Sequence, residues 1–509
     1  LNSNKPVSGV HSGQGTHFCK GNKMQTETNT VLLRREVMVR LIKSFLSGNL
    51  EQAADDLPFA MRPKNADAPF RCCIHSERAV LRERAIAALG CSVEDDDDKT
   101  PLSEYARRAM TREKPDDTVL TVVESACHGC AAGRIYVTDL CQGCVARPCT
   151  TACAFGAISV QNGRSSIDST KCKACTKCMQ VCPYGAIAKI KVPCEDACPV
   201  GAIAKNSHGH AQINSDRCLS CGACLAHCPF GAVAEKSQMI DILRAIKSDK
   251  KVVAMVAPAV AGQMAAGINK IASALVKAGF DRVADVGVGA DITTANETVD
   301  FAERMKRGDK FMTTSCCAAY REMVKKDMPE IAPFMSETGT PMHYTAELVK
   351  KADPDCVTVF VGPCVAKRRE GFGDENVDFV MDFEEMAALF EAAGIDPAQC
   401  DEYDFGTETS KQARNFAVTG GVAESVRVAA GGKLDIRPTC INGLNPKSVR
   451  EMAMWAKKGE CPLGNIVEVM VCEGGCVGGA GCFANQKTAA RGVANYAAKG
   501  ADVKTVETE

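Results

Sequence analysis

Glu468-Val469-Met470-Val471-Cys472-Glu473-Gly474-Gly475-Cys476-Val477-Gly478-Gly479-Ala480-Gly481-Cys482 is the stretch from which the architecture of this chain is read. Two cysteines stand four apart, glycines lie between and behind them, and an apolar run from Ile466 to Val471 leads in. Glycine removes side-chain bulk and permits positive φ, so the backbone can wrap closely around a group set against Cys472 and Cys476. Thiolates at such spacing suit soft metals and iron–sulfur clusters. Two thiolates do not complete a cluster. The remaining ligands must come from elsewhere in the chain.

The chain has 509 residues and 30 cysteines, with 61 Lys and Arg against 62 Asp and Glu, for a formal net charge of −1. That length supports several domains, and the charge balance argues against general nucleic-acid binding. No apolar run reaches membrane-helix length. No basic segment followed by an apolar run marks a secretory signal, so a cytoplasmic protein is expected. Residues 1–23 read as a disordered lead or tag, with Met24 as a start. Reduced cytosolic thiols in this number point to metal binding rather than to a disulfide framework. Four cysteines precede residue 92, sixteen fall between 127 and 228, and ten run from 316 to 482.

The middle group carries the strongest motifs. Cys141-x2-Cys144-x4-Cys149-x3-Cys153 is followed by Cys172-x2-Cys175-x2-Cys178-x3-Cys182-Pro183, and later by Cys218-x2-Cys221-x2-Cys224-x3-Cys228-Pro229. The last two follow the bacterial ferredoxin pattern, in which three cysteines hold one 4Fe–4S cluster and the fourth serves its neighbour. The phrase Cys-Pro-x-Gly-Ala-Ile/Val recurs at Cys182, Cys198 and Cys228, with a variant at Cys153. The first two motifs therefore pair: Cys141, Cys144 and Cys149 with Cys182, and Cys172, Cys175 and Cys178 with Cys153. The third needs a partner, which Cys127-x2-Cys130 and Cys194-x3-Cys198 supply in two halves. That gives Cys127, Cys130 and Cys194 with Cys228, and Cys218, Cys221 and Cys224 with Cys198. The expectation is about four accessory clusters in two two-cluster units, one inserted in the other; three clusters or another exchange of partners is the competing arrangement.

Around this region the pattern differs. Residues 27–60 and Glu77–Leu89 show helical spacing, and the acidic run Glu94–Asp98 reads as a solvated linker. Cys72 and Cys73 are either a further metal or redox site or two thiols beside a helix start. After Lys236, short apolar runs (252–258, 283–288, 357–362, 377–381, 466–471) alternate with helical stretches (262–278, 383–393, 446–457), as expected of sheets covered by helices. Two cysteine segments stand out here, Thr313-Thr314-Ser315-Cys316-Cys317-Ala318-Ala319-Tyr320 and Val361-Gly362-Pro363-Cys364-Val365-Ala366-Lys367-Arg368-Arg369-Glu370. One cysteine from each, with Cys472 and Cys476, makes a four-thiolate site drawn from distant segments. The competing reading is buried structural thiols, which is the one applied to Cys356, Cys400, Cys440 and Cys461.

These three segments, in this order, resemble the signature segments of FeFe hydrogenases, and the ferredoxin-like region resembles that family's accessory electron-transfer domains. The resemblance covers roughly residues 120–495. It implies that Cys317, Cys364, Cys472 and Cys476 hold the 4Fe–4S part of an H-cluster, with Cys476 bridging to a diiron subcluster that carries CO, cyanide and an azadithiolate. It implies that Lys367 hydrogen-bonds a cyanide, that Met470 packs against the diiron unit, and that the Ala257, Pro258 and Ala259 loop presents backbone donors to the distal cyanide. Cys316 becomes the thiol that passes protons to the bridging amine. Glu297 and Asp300, three apart on one helix face, align with the family's acidic relay positions; a solvated helix face is the competing reading. Glu370 is expected to order the pocket.

The family pattern is not matched throughout. Ala318 stands where the best-known members have Pro, Tyr320 where they have Trp, and Gly362 where a Met is expected. Met342 stands where a Gln often lies, and the third segment ends in Gly-Gly-Ala-Gly-Cys instead of Gly-Gly-Gly-Gln-Pro. These departures resemble the subgroup called group B. The expected architecture is multidomain, α+β and α/β. It comprises a mainly helical region at 24–118, ferredoxin-like 4Fe–4S domains at 119–235 and an α/β H-cluster domain at 236–500. The resemblance implies a ferredoxin-type enzyme interconverting protons, electrons and H2, with a ferredoxin or similar carrier and the family's maturation factors as partners and no nucleic acid or membrane. Arg147, Lys171, Lys173, Lys177, Lys189 and Lys191 would steer an acidic carrier. A hydrogen sensor and a non-catalytic iron–sulfur assembly relative are the alternatives.

Overall fold

The computed structural model describes residues 28–68, 70–115, 118–127, 130 and 134–507; the expected lead at 1–23 and the start at Met24 lie outside them. The helical spacing near the N-terminus becomes four helices, Asn29–Leu46, Leu50–Met61, Ile74–Ala88 and Leu102–Thr111. Their apolar stripes (Leu41, Ile42, Leu57, Ile86, Leu89, Tyr105) bury against one another and continue into the core of the later α/β part. The first helix packs on Phe383–Ala393, and Arg34 closes the contact with an ion pair to Glu384 at 2.6 Å.

Glu94, Asp95, Asp97 and Asp98 are exposed, as expected of the acidic run, but two of its carboxylates are tied into the fold. Glu94 accepts hydrogen bonds from the Thr121 hydroxyl and from the Val122 N–H. Asp96 takes both Arg82 at 2.6 Å and the Tyr105 hydroxyl at 2.9 Å. The charges tie the helical region to the strand that follows.

In the cysteine-rich region the strand pairs are nested. β1 (Leu120–Val122) pairs antiparallel with β8 (Val233–Glu235), and within that bracket β2 (Arg134–Val137) pairs with β5 (Ile187–Ile190). Hairpin β3 (Ile158–Gln161)–β4 (Arg164–Ile167) lies inside the inner bracket, and β6 (Ile203–Lys205)–β7 (Ala211–Ile213) lies between the two.

Beyond residue 250 the sheets are parallel. The first has the order β10 (Arg282–Asp285), β9 (Val252–Val256), β12 (Val357–Val361), β13 (Phe379–Met381). The second has the order β11 (Met312–Thr313), β15 (Ile466–Met470), β14 (Pro438–Asn442). β9, β12 and β15 are buried along their whole length, as expected of parallel strands covered on both faces. Expected elements recur with shifted ends. The strand expected at 283–288 stops at Asp285, because the Asp285 carboxylate accepts the Gly287 N–H at 2.8 Å and starts the 21-residue helix Gly287–Arg307. Among the described residues no helix is long and apolar enough to cross a membrane.

Candidate metal centre

Four segments that carry site residues leave the carboxyl ends of parallel strands, where open α/β sheets place their ligand crevices. Ala257, Pro258 and Ala259 follow β9, Cys316 and Cys317 follow β11, Cys364 follows β12, and Cys472 and Cys476 follow β15. The strands thus bring together thiols that are far apart in sequence. Cys317 lies close enough for its charge to oppose ionisation of Cys364, Cys472 and Cys476, and Cys364 acts likewise on Cys472 and Cys476. Burial first, then these neighbours, pushes the thiols of Cys364 and Cys476 up to about 11 and about 12, and Cys472 well above the ordinary thiol range. Crowded, half-buried thiols of this kind ionise readily only when positive charge is placed among them, which is the chemistry of a metal-binding donor set.

The backbone around them is shaped for close approach. Gly475 has φ +87°, and a Cβ there would lie 2.7 Å from the Thr419 nitrogen. At Gly362 an added Cβ would meet the Phe360 ring at 2.4 Å, so that ring fills the space into which a larger residue would project.

Lys367 is buried beside Cys364 and donates from Nζ to Glu370 Oε2 at 2.6 Å. Glu370 in turn accepts from the Thr340 hydroxyl at 2.5 Å, so the lysine is oriented by a carboxylate that is itself held. Met470 packs with Ala290, Ala413, Phe416 and Val422 against Cys316 and Cys317. Cys316 stands outside the group of four, and its thiol is pushed well above the usual range by burial and then by Glu297 and Glu468.

Glu297 is not on a solvated face. It is 0% exposed, accepts the Ser315 N–H at 3.0 Å, and has its proton affinity raised by burial to about 8, with Glu468 and Asp300 adding to the shift. Asp300 is half-buried, pairs with Arg304 at 2.6 Å and accepts the Glu337 N–H at 3.4 Å. The helix therefore carries one carboxylate inside and one towards the surface.

The ferredoxin-like cysteines form further groups. Cys141, Cys144, Cys149 and Cys182 line one small cavity, and Cys198, Cys218, Cys221 and Cys224 line another. Cys130 and Cys194 feel Cys127 and Cys228, while Cys178 feels Cys172 and Cys175 and shares an apolar cluster with Cys153. The recurring Cys-x-x-Gly-Ala phrase has a physical cause. Gly156, Gly185, Gly201 and Gly231 all have φ near +60°, and the next alanine N–H turns back onto the cysteine sulfur at 3.1–3.4 Å. Cys221 feels Cys364 and acts on Cys472, and Cys224 feels Cys194, so the groups adjoin in series. Of the four cysteines expected to be structural, Cys356 and Cys400 are buried, whereas Cys440 is exposed and Cys461 half-buried, which corrects the expectation for those two. Cys440 lies on the outer strand β14, where its side is uncovered. Cys72 and Cys73 are both exposed.

Over 378 residues the chain is 31% identical to the periplasmic [Fe] hydrogenase large subunit of Nitratidesulfovibrio vulgaris, covering 62% of this chain and 85% of that one. The chain belongs to the FeFe hydrogenase family. The family model for the iron-only hydrogenase large subunit, C-terminal domain, matches residues 250–480, and 4Fe–4S and LdpA Fe–S cluster-binding models match 165–187 and 188–239. The NADP-reducing hydrogenase subunit HndD of Solidesulfovibrio fructosivorans is 29% identical over 48% of this chain, which spans 52% of that relative. Iron hydrogenase 1 of Clostridium pasteurianum is 28% identical over 48% of this chain and 53% of its own. The chain is thus an oxidoreductase-type, iron–sulfur, electron-transfer member of the hydrogenases.

Sequence reading missed one buried group in this member of the family. Glu468, in the middle of β15, is 0% exposed and accepts the N–H groups of Gly420, Val422 and Ala423 at 2.8–3.0 Å. The available signal was a lone charge within the apolar run Ile466–Val471.

Proposed function

We propose that this chain is a ferredoxin-type FeFe hydrogenase, reversibly combining two protons and two electrons into H2. The observation that carries the reading is the position of Cys316, a half-buried thiol outside the group of four, between the Cys317 and Cys476 side and the buried carboxyl of Glu297. The donor set fits an H-cluster: four crowded thiols call for added positive charge, and Gly475 and Gly362 keep backbone bulk low beside them. Cys317, Cys364, Cys472 and Cys476 would hold that cluster, which supplies the iron centre at which H2 is made or split.

The chain's own side chains do the rest. Lys367, oriented by Glu370 and through it Thr340, offers a compact ammonium to a small anionic ligand. Ala257, Pro258 and Ala259 close the pocket at the end of β9, and Met470 walls it with an adaptable apolar side chain. Cys316 exchanges a proton with the centre and with Glu297, and Asp300 stands at the outer end of that route.

Infrared spectra of the anaerobically matured protein test the reading. Bands of metal-bound CO and cyanide are expected, together with H2 turnover; spectra without them would leave a non-catalytic iron–sulfur relative. Bands accompanied only by very slow turnover would favour a sensor.

Electrons would reach the centre through four accessory 4Fe–4S clusters, with the thiol groupings supporting the pairing expected from the motifs. Iron and acid-labile sulfide analysis of the full chain before diiron insertion is expected to return roughly four irons for each of five four-iron clusters. A total short by eight would remove the second two-cluster unit. The nested strand pairs support residues 119–235 as two such units, one inserted in the other, between the helical part at 24–118 and the catalytic part at 236–500.

A ferredoxin is the carrier that the outer unit fits best. Lys171, Lys173, Lys177, Lys189 and Lys191 are exposed there, with Arg147 half-buried, and Leu140, Tyr184 and Val145 (98% exposed) add apolar surface. Basic charge around an apolar centre suits an acidic protein. A cytoplasmic location, the family's maturation factors as partners and membership of group B belong to the same reading.

A further inference from the structure

Cys72 and Cys73 belong neither to the group of four thiols nor to the ferredoxin-like groups. Both side chains are exposed, and their sulfurs stand 3.9 Å apart. Cys73 is the residue that opens the 15-residue helix Ile74–Ala88, in extended backbone with φ −163° and ψ 165°. The approach to that helix is anchored. Glu77, in its first turn, accepts the Phe70 N–H at 2.9 Å and pairs with Arg62. The two thiols therefore sit side by side on held chain, both open to solvent.

Such a pair suits thiol–disulfide exchange. The attacking species is a thiolate, and access to the sulfur limits the reaction. Access here is open, whereas the thiols of the metal centre are half-buried. The backbone N–H of Ser76 and then that of His75 hold the Cys73 thiol below its ordinary range. Arg71, next in the chain, carries its charge within reach of Cys72, which favours an anionic partner. The product bond is labile for a geometric reason. Consecutive Cα atoms lie about 3.8 Å apart, closer than the roughly 4.4–6.8 Å of ordinary disulfides, so the closed ring is strained and readily reduced. Strained, exposed disulfides are the reversible ones.

We propose that Cys72 and Cys73 form a reversible thiol–disulfide site whose substrate is a small anionic disulfide of the glutathione class. Cys73 loses its proton and attacks one sulfur of that disulfide. The S–S bond of the substrate breaks, a mixed disulfide forms on Cys73, and the first thiol leaves with a proton. Cys72 then loses its proton and attacks the Cys73 sulfur. The Cys72–Cys73 bond closes, and the second thiol leaves with a proton. The small disulfide gains two electrons and two protons, and the cysteine pair gives up both. The site uses neither the metal centre nor the accessory clusters, so it stands apart from the function proposed above.

Peptide mass spectrometry of the anaerobic, cluster-loaded full chain tests this. Trypsin cuts after Arg71 and Arg78, so both thiols are read on the one peptide Cys72–Arg78. After exposure to oxidised glutathione and alkylation of the remaining thiols, that peptide should appear unalkylated and two hydrogens lighter than its dithiol form. Its thiols should be lost about tenfold faster than that of Cys440, which is exposed on β14. Cys72→Ser is expected to stop at a glutathione adduct on Cys73, because the second attack is gone. Reduced glutathione should reopen the bond in the parent. Loss at the Cys440 rate, an adduct that persists in the parent, or a bond that reduced glutathione leaves closed would each overturn the proposal. Measured against Cys440, oxidised glutathione should also outpace the neutral 2-hydroxyethyl disulfide; the reverse order overturns the anionic substrate.

Discussion

Cys316→Ala is expected to lower H2 turnover by roughly 100- to 10,000-fold, the range typical of losing a positioned acid–base group. The infrared bands of metal-bound CO and cyanide should be unchanged. The two outcomes separate because Cys316 lies outside the group formed by Cys317, Cys364, Cys472 and Cys476, yet packs against the same apolar wall as Cys317. Its thiol is held protonated by burial and by the negative surroundings of Glu297 and Glu468. Alanine there removes a proton carrier and leaves the neighbouring sulfurs in place. Cys316→Ser tests the same point with a hydroxyl in place of the thiol. Normal turnover in the alanine variant would take Cys316 out of the route.

The second large effect is on stability and lies behind the centre. Arg368 is 1% exposed and reaches Glu385 at 2.5 Å and Glu235 at 3.5 Å. Glu385 also accepts from the Ser237 hydroxyl and the Asp382 N–H, and Asp382 shares a hydrogen bond with Glu235. Arg368→Met would retain length and apolar stem while leaving these carboxyls short of a cation. Breaking one side of a buried ion network destabilises by about 3–5 kcal/mol. Burial and mutual repulsion already hold Asp382 well above the carboxylate range and raise Glu385. Without Arg368 their folded-state proton affinity rises further. A carboxyl with a folded value above its unfolded one stabilises only while protonated, and that stability is lost as pH rises between the two values. The deficit should therefore be largest above neutrality and shrink towards pH 5. Denaturant midpoints of the anaerobic protein across that range measure it. A deficit below about 1 kcal/mol, or one growing as pH falls, would contradict the ion-network argument.

How much of this was legible depended on how local each signal is. The x2-x2-x3 cysteine runs and the Gly-Ala turns that follow them are contained in short stretches such as Cys172–Ala186, so spacing alone exposes them. Helices with a cap in sequence also read well: Phe383–Ala393 begins at the capping box of Asp382 and Glu385 and ends at Gly394 with positive φ. β11, two residues long, and β14, which opens at Pro438, have too little pattern to be seen, and both exist because β15 lies between them. The contacts of Glu94 and Asp96 within the acidic run were not legible because their partners, Arg82, Tyr105, Thr121 and Val122, are 9 to 28 residues away. For Glu297 the sequence left a solvated face as the competing reading, which helix Gly287–Arg307 removes by turning it inward. Glu468 was visible as a letter but not as a charge, since its three amide partners lie more than forty residues upstream.

The bracket of β2 and β5 inside that of β1 and β8 has a consequence for how such chains lengthen. Because β2 and β5 run side by side, the segment they enclose leaves and re-enters the rest of the protein at neighbouring points. A cassette with adjacent ends can be gained, lost or exchanged in one event without shifting the register of the outer pair. The reach of the wire, measured outward from the carboxyl ends of the parallel strands, is then an inheritable variable separate from the chemistry at its inner end. On the function proposed above, a lineage could connect the same inner site to a different carrier by changing the stretch between β2 and β5 alone.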